Sequence, residues 1–453
     1  MIKPAIPKGT RDFSPEVVRK RHYIFGTIRT VFERYGFQPL ETPAMEMLQT
    51  LTGKYGEEGD KLMFRVLNNG DIYPEAAKAR DTRELTEAVS EKALRYDLTI
   101  PFARYVAMHS HELAFPFRRY QIQPVWRADR PQKGRYREFC QCDADIVGSS
   151  SLVNERELLE IYDQVFNALG MKGFRLRVNN RKILAGLSEL IGAPERLTDL
   201  TIAIDKLDKI GLDGVRRELA ARGFTAEAVS VTETFLAVSG SGAEKLTRLE
   251  SLLGASQTAR TGIAELREVL EAPAAGWLET PAVDQTLARG LNYYTGIIIE
   301  AGAPPSVKIG SIGGGGRYDN LAGLFGLEGI SGVGVSFGVD RIYDVLEELK
   351  LFPEILSQST RVLFLQMDPE SLAASFPLAR DLRGAGIATE IYPDPAKFDK
   401  QMKYANKRRI PYVAILGEGE RNERVVSVKN MQTGTQEKIP FRNLVSYFTG
   451  SQV

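Results

Sequence analysis

FPFRRYQIQPVWRADRPQKGRYREFCQCDADIVG, residues 115–148, is the stretch on which the fold turns. Its two ends read as strands and its middle as a charged loop. After the loop, Gln141, Asp143 and Asp145 fall on one face, and Cys140, Cys142, Ala144 and Ile146 on the other. That is the period of two of a strand with one apolar face. Arg127, Arg130, Lys133, Arg135 and Arg137 stand between the strands. A hairpin this basic suits a polyphosphate, because a guanidinium contacts phosphate oxygens two at a time. Gly134 lets such a loop close over a ligand. A solvated turn is the plainer alternative, and the polar strand face behind the loop weighs against it.

Working outward, Ser14 as cap, Pro15 in the first turn and Glu16 at its positive end predict a helix that Gly36 ends. Val17, Ile24, Ile28, Val31, Phe32 and Tyr35 repeat along it at helical spacing. The extended stretch 39–45 follows, and the pair suggests a core or subunit interface. Residues 151–169 read as a helix and 174–178 as a strand. Residues 185–275 change character: helical, rich in Ala, Leu, Glu and Arg, without a polar site cluster, an inserted helical domain. GIIIEAG (296–302), KIGSIGGGGRYDN (308–320) and the strand-to-helix stretch 332–349 restore the first pattern. Past 359, strands alternate with helices, which predicts a small α/β domain.

The 453 residues suffice for about three domains. With 59 basic and 58 acidic side chains the net charge is +1, so a globally basic nucleic-acid coat is excluded and only a local patch is open. Cys140 and Cys142 alternate like strand interior and form no disulfide framework. Three histidines, without clustered thiols or carboxylates, give no expectation of a protein metal site. No run reaches 18 apolar residues, so neither export nor membrane spanning is expected, and the cytoplasm is.

LARGLNYYTG (287–296) places Arg289 beside the adjacent tyrosines Tyr293 and Tyr294. In LRYDLTIPFARY (94–105), Asp97 and Thr99 share a side if that segment is extended. Asp97, Gln141 and Asp145 can bind an ammonium and a polar side chain, and with the two tyrosines they suggest an amino-acid pocket. Four glycines at 313–316 permit close backbone approach, but the stretch fits neither a P-loop nor a dinucleotide fingerprint. Arg341 falls in the first turn of a helix, where it can reach a phosphate. In the last domain Lys397, Lys400, Lys403 and Lys407 recur at helical spacing ahead of Arg408 and Arg409, a basic stripe with Tyr404 near it for stacking.

Together these stretches resemble the class II aminoacyl-tRNA synthetases, and within them the histidyl-tRNA synthetase family. RADRPQKGRYREF resembles the second class II motif, GVGVSFGVDRI the third, and the first helix with Pro43 the first, which sits at a dimer interface. LARGLNYYTG resembles the histidine-specific signature, and GGGGRYDNLAG the glycine-rich strand beside it. The resemblance covers nearly the whole chain. It implies an α+β fold: a class II core of an antiparallel sheet flanked by helices (1–184 and 276–352), a helical insertion domain (185–275) and a C-terminal α/β anticodon-binding domain (358–453). It implies activation of L-histidine with ATP and Mg²⁺, and transfer of histidine to tRNA(His) by a homodimer. Residue by residue, the resemblance implies that Arg127 holds the α-phosphate, Arg341 contacts the far phosphates, Arg135 helps hold the triphosphate, and Phe139 stacks on adenine. Arg289 acts with Arg127 in catalysis. Asp97, Thr99, Gln141, Asp145, Tyr293, Tyr294 and Tyr318 line the histidine pocket. Lys400, Lys403 and Lys407 meet the tRNA, and the insertion clamps its acceptor stem.

Three positions depart from the family pattern. Asn292 stands where Asp is usual, and Asp97 and Asp145 where Glu is often found, one methylene shorter. The alternative reading is a catalytically inactive synthetase-like protein, serving as a regulatory subunit or an RNA-binding module. A synthetase for another amino acid fits the carboxylates and tyrosines less well.

Overall fold

The computed structural model of the chain describes residues 2–132, 134–271, 277, 279–288, 293–357 and 360–450. They divide into two compact units, one of residues 1–12 and 21–351, the other of 13–20 and 352–453.

The first unit is built on an eight-stranded sheet. In spatial order its strands are Gln38–Pro39, Phe117–Trp126, Glu138–Val147, Gly332–Gly338, Ser311–Tyr318, Ile297–Gly302, Arg175–Asn180 and Ala282–Val283. The two outermost strands pair in parallel and the six between them antiparallel. The basic stretch joins two ten-residue strands as a hairpin, Trp126 opposite Glu138 and Phe117 opposite Val147. The first helix, Pro15–Arg34, starts where Ser14 accepts the amide of Val17. Its Ile24, Ile28, Val31 and Phe32 are buried, and the Phe32 ring meets Phe337 edge-on. The Val153–Ala168 helix closes on the strands through Tyr162 and Phe166, both fully buried, and the Tyr162 hydroxyl donates to the Ser336 carbonyl.

Residues 181–271 form six helices in succession, from Arg181–Leu190 to Gln257–Glu271. They carry their own apolar seam, with Leu200, Leu219, Phe235, Leu249 and Ile263 buried.

The second unit holds a five-stranded sheet ordered Thr389–Ile391, Val362–Phe364, Tyr412–Ile415, Val425–Asn430 and Gln436–Pro440. The first three are parallel, which requires helical crossovers: Pro369–Gly384, capped by Asp368 through the Ser371 amide, and Phe398–Lys407. Lys397, Lys400, Lys403 and Lys407 are exposed, as their spacing predicts. Tyr404 departs from expectation. Its ring packs edge-on against Tyr392 and its hydroxyl donates to Glu390, so it is held within the domain instead of offered for stacking.

Candidate active site

The hairpin, the glycine-rich strands and the start of the Val339–Glu348 helix enclose two adjoining cavities. The larger, of about 460 Å³, is lined by Arg127, Arg135, Phe139 and Arg341 with backbone of the glycine strand. The smaller, of about 60 Å³, is lined by Asp97, Thr99, Asp143, Asp145, Tyr293, Tyr294 and Tyr318. Arg127, Gln141, Gly314 and Ser336 line both.

Arg127 leaves the end of the first hairpin strand, where its guanidinium lies over the rings of Tyr96 at 4.3 Å and Phe139 at 5.2 Å. It donates from Nε to the Tyr96 carbonyl at 3.0 Å and from Nη2 to Gln141 Oε1 at 3.2 Å. Two anchors and two aromatic faces thus orient it before any ligand arrives. Gln141 passes its own amide to Ser336 Oγ at 2.8 Å. Arg341, in the first helical turn, donates to the carbonyls of Gly134 at 2.8 Å and Ser311 at 2.7 Å, tying the basic loop to the glycine strand. Its neighbour Asp340 is gripped by Arg11 and Arg21. Arg135 is exposed on the loop.

In the smaller cavity each carboxylate sits in a different net of donors. Asp97 and Thr99 do not lie on an extended segment. Thr99 opens the Thr99–His109 helix, and Asp97, just ahead of it, accepts the Ile100 amide at 3.2 Å. Asp97 also accepts the hydroxyls of Tyr55 at 2.9 Å and Tyr293 at 3.4 Å. A helix start serves the same purpose as the expected strand, because its free amides hold the carboxylate in place. Asp145 accepts Tyr318 Oη at 2.6 Å and faces Arg119 Nη2 at 2.7 Å, both partners buried. Burial pushes the carboxyls of Asp97 and Asp145 above their usual range, against the pull of Arg127 on the first and Arg119 on the second. Room for Asp145 depends on Gly334 across the sheet, since a Cβ there would come 1.9 Å from Asp145 Oδ1. Tyr294 similarly needs Gly316, where a Cβ would fall 3.0 Å from its ring.

The structure therefore brings Asp97, Thr99, Gln141, Asp145, Tyr293, Tyr294 and Tyr318 together, and Arg127, Arg135, Phe139 and Arg341 around the adjoining space. Arg289, Asn292 and Lys133 lie outside the described residues. Lys400, Lys403 and Lys407 belong to the second unit. The sequence reading missed Arg119, Tyr55 and Tyr96, which carry no local signal. It also passed over Asp143 as a pocket residue, although Asp143 shares the strand face of Gln141 and Asp145. Among the described residues there is no group of three or more His, Cys, Asp or Glu side chains able to hold a metal ion.

An antiparallel sheet flanked by helices, with arginines on its hairpin and on the helix after its last strand, has the architecture of a class II aminoacyl-tRNA synthetase core. Residues 74–342 match the family model described as histidyl-tRNA synthetase, and 361–450 an anticodon binding domain. The histidine--tRNA ligase of Christiangramia forsetii is 53% identical over 448 residues, covering 98% of each chain. That of Bacteroides fragilis is 53% identical over 452 residues, covering 99% of each. The crystal structure of histidyl-tRNA synthetase from Nostoc sp. PCC 7120 superposes with a TM-score of 0.82 at 30% identity, over 99% of this chain and 100% of that one. The chain belongs to the histidyl-tRNA synthetase family.

Proposed function

We propose that the larger cavity takes MgATP, that the smaller takes histidine, and that the two substrates react where the cavities share a wall. The chain is an enzyme that activates L-histidine with ATP and transfers histidine to tRNA(His). The shared wall is the observation that carries the assignment of residues. Arg127 and Gln141 face both spaces, so a carboxylate in one and an α-phosphate in the other meet beside one oriented guanidinium.

The histidine carboxylate attacks the α-phosphorus and pyrophosphate leaves, giving histidyl-adenylate. Negative charge grows on the oxygens about phosphorus, and Arg127 with Arg289 offsets it. Arg341 and Arg135 hold the outer phosphates, Phe139 stacks on adenine, and Mg²⁺ arrives with the nucleotide as part of the substrate. The terminal ribose hydroxyl of the tRNA then attacks the acyl carbon, the bond from that carbon to the phosphate oxygen breaks, and AMP leaves as the hydroxyl gives up its proton to form histidyl-tRNA. Positioning and electrostatics suffice, and no protein nucleophile is needed.

Residues 185–275 act as a separate insertion domain that clamps the acceptor stem, and residues 358–453 read the anticodon. Lys400, Lys403 and Lys407, exposed on one helix, meet the tRNA backbone. The working particle is a cytoplasmic homodimer, as the long first helix and the extended segment after it suggest. No helix among the described residues is long and apolar enough to cross a membrane. Sedimentation as a particle of about 50 kDa at micromolar protein would rule the dimer out.

Amino-acid-dependent ATP–pyrophosphate exchange, run with each of the twenty amino acids, tests the assignment. Exchange with histidine alone, lost in Arg289→Ala, is the expected result. Absence of exchange with every amino acid, in folded protein with Mg²⁺, would favour the regulatory or RNA-binding alternative. Replacing Lys400, Lys403 and Lys407 together by alanine should depress tRNA charging and leave exchange intact. Equal loss of both would remove those lysines from RNA recognition.

A further inference from the structure

The segment ahead of the first helix is tied to the walls of the larger cavity, although none of the described residues 2–12 lines it. The Gly9 carbonyl accepts the Arg137 amide at 2.9 Å, and the Lys8 carbonyl accepts Arg137 Nη1 at 3.4 Å. Gly9 has φ +88°, and a Cβ there would come 2.8 Å from Arg137 Cγ and 3.0 Å from Pro131 Cγ. The segment therefore passes close against both limbs of the basic loop, where only glycine fits. Two residues on, Arg11 lays its guanidinium over the Tyr136 ring, 3.2 Å from the ring centre, and pairs with Asp340.

Each of these two contacts is one residue away from an arginine assigned to the outer phosphates. Tyr136 follows Arg135, and Asp340 precedes Arg341. The two arginines stand on different elements. Arg135 is on the loop, whose tip is closed by paired amide bonds between Gln132 and Arg135. Arg341 is in the first turn of the Val339–Glu348 helix. A closed loop tip must still be held at a set distance from that helix. One tie is the Arg341 Nε bond to the Gly134 carbonyl, made by a guanidinium that has phosphates to meet. Arg11 makes a second tie from outside the cavity, where the nucleotide does not compete for it.

We propose that Arg11 is a positioning residue that fixes the spacing between Arg135 and Arg341, and so sets the grip on the outer phosphates of ATP. The inference rests on the assignment of the larger cavity to MgATP. Arginine suits this place because it offers a flat face to the ring and an N–H edge to the carboxylate at once. Asp340 is 4% exposed and anchored independently of Arg11, since it also pairs with Arg21 and accepts the Cys140 amide at 3.3 Å. Removing Arg11 thus frees the loop from the helix without leaving a buried carboxylate unmatched. The adenine and α-phosphate contacts lie outside this chain of bonds. The Arg127 guanidinium is held by Tyr96 and Gln141, and Phe139 by the strand pairing that sets it opposite Val125.

The experiment is calorimetric titration of the full chain with MgATP and, separately, with AMP, for wild type, Arg11→Ala and Arg11→Lys. AMP carries the adenine and the α-phosphate and lacks the outer two, so it reports whether the rest of the cavity is intact. The expected result for Arg11→Ala is an ATP Kd raised about tenfold, the scale of one charged hydrogen bond loosened, with an unchanged AMP Kd. In pyrophosphate exchange the KM for ATP rises by the same factor and the KM for histidine does not. Arg11→Lys keeps a charge for Asp340 and loses the planar face on Tyr136. It shows the same selectivity at smaller size, and it carries the test if the alanine variant folds poorly. Equal weakening of ATP and AMP would overturn the inference, since Arg11 would then support the cavity as a whole. Wild-type ATP affinity in both variants would overturn it too. Wild-type protein that binds neither nucleotide would instead remove the cavity assignment beneath it.

Discussion

Arg127→Ala lowers kcat/KM for histidine-dependent ATP–pyrophosphate exchange by about 10²–10³, the scale of losing one preorganised donor at a developing oxyanion. The size follows from how the side chain is held. Its Nε and Nη2 are spent on Tyr96 and Gln141, and its face is fixed between Tyr96 and Phe139, so the remaining N–H groups point without searching. Histidine KM rises in the same variant, because Gln141 loses the partner that orients it at the wall of the smaller cavity. Arg127→Lys restores little, since one ammonium cannot reach the Tyr96 carbonyl, Gln141 and a phosphate oxygen together. Steady-state exchange kinetics for the two variants decide the matter. A loss below tenfold, or full recovery by lysine, would show that Arg127 is not oriented for the phosphate.

Glu155→Ala acts on the fold instead of the chemistry, and costs about 3–5 kcal/mol, the usual penalty for stranding one member of a buried ion pair. Glu155 is 0% exposed and takes a two-pronged contact from Arg317, with Nε at 2.5 Å and Nη2 at 2.7 Å. Arg317 further donates to Ser331 Oγ at 2.6 Å and to the carbonyls of Ser149 and Ser151. Burial still holds the Glu155 carboxyl above its ordinary range, against the pull of Arg317, so the pair is placed at a cost that only its full set of bonds offsets. Remove the carboxylate and the guanidinium remains in the sheet with only the more distant Asp319, at 3.8 Å, as its counter-charge. The apparent unfolding midpoint of the variant falls by several degrees, while histidine and ATP KM in the protein that remains folded stay near wild type. A midpoint unchanged within a degree would mean that Arg317 finds water or another partner.

The contrast between these two arginines shows how far residues can be read before the chain is folded. Arg127 and Arg341 could be singled out because each sits at a place with its own local signature, a hairpin turn and a first helical turn. Arg317 lies in GGGGRYDN, a stretch that reads as ligand-facing, yet its side chain turns away to Glu155. The alternation of residues 140–146 also placed Asp143 beside Gln141 and Asp145 correctly, without marking it as pocket. A polar residue on a strand looks the same in sequence whether its face meets water or a closed cavity.

Local chemistry in the sequence determined the basic hairpin, the capped first helix, the helical stretch expected over 185–275, of which 272–276 lie outside the described residues, and the alternating C-terminal sheet, because periodicity, caps and turn residues act within a few positions of themselves. The motif stretches were enough to mark the family before any contact was known. Only the tertiary structure decided that Asp97 sits at a helix start, that Tyr55 and Tyr293 donate to it, that Arg119 is the buried counter-charge to Asp145, and that Gly334 leaves Asp145 its space. Apart from the helix start at Asp97, each of these joins residues from separate segments of the chain. Burial of a charge, and the partner that makes it tolerable, are properties of the packed chain, which no single segment carries.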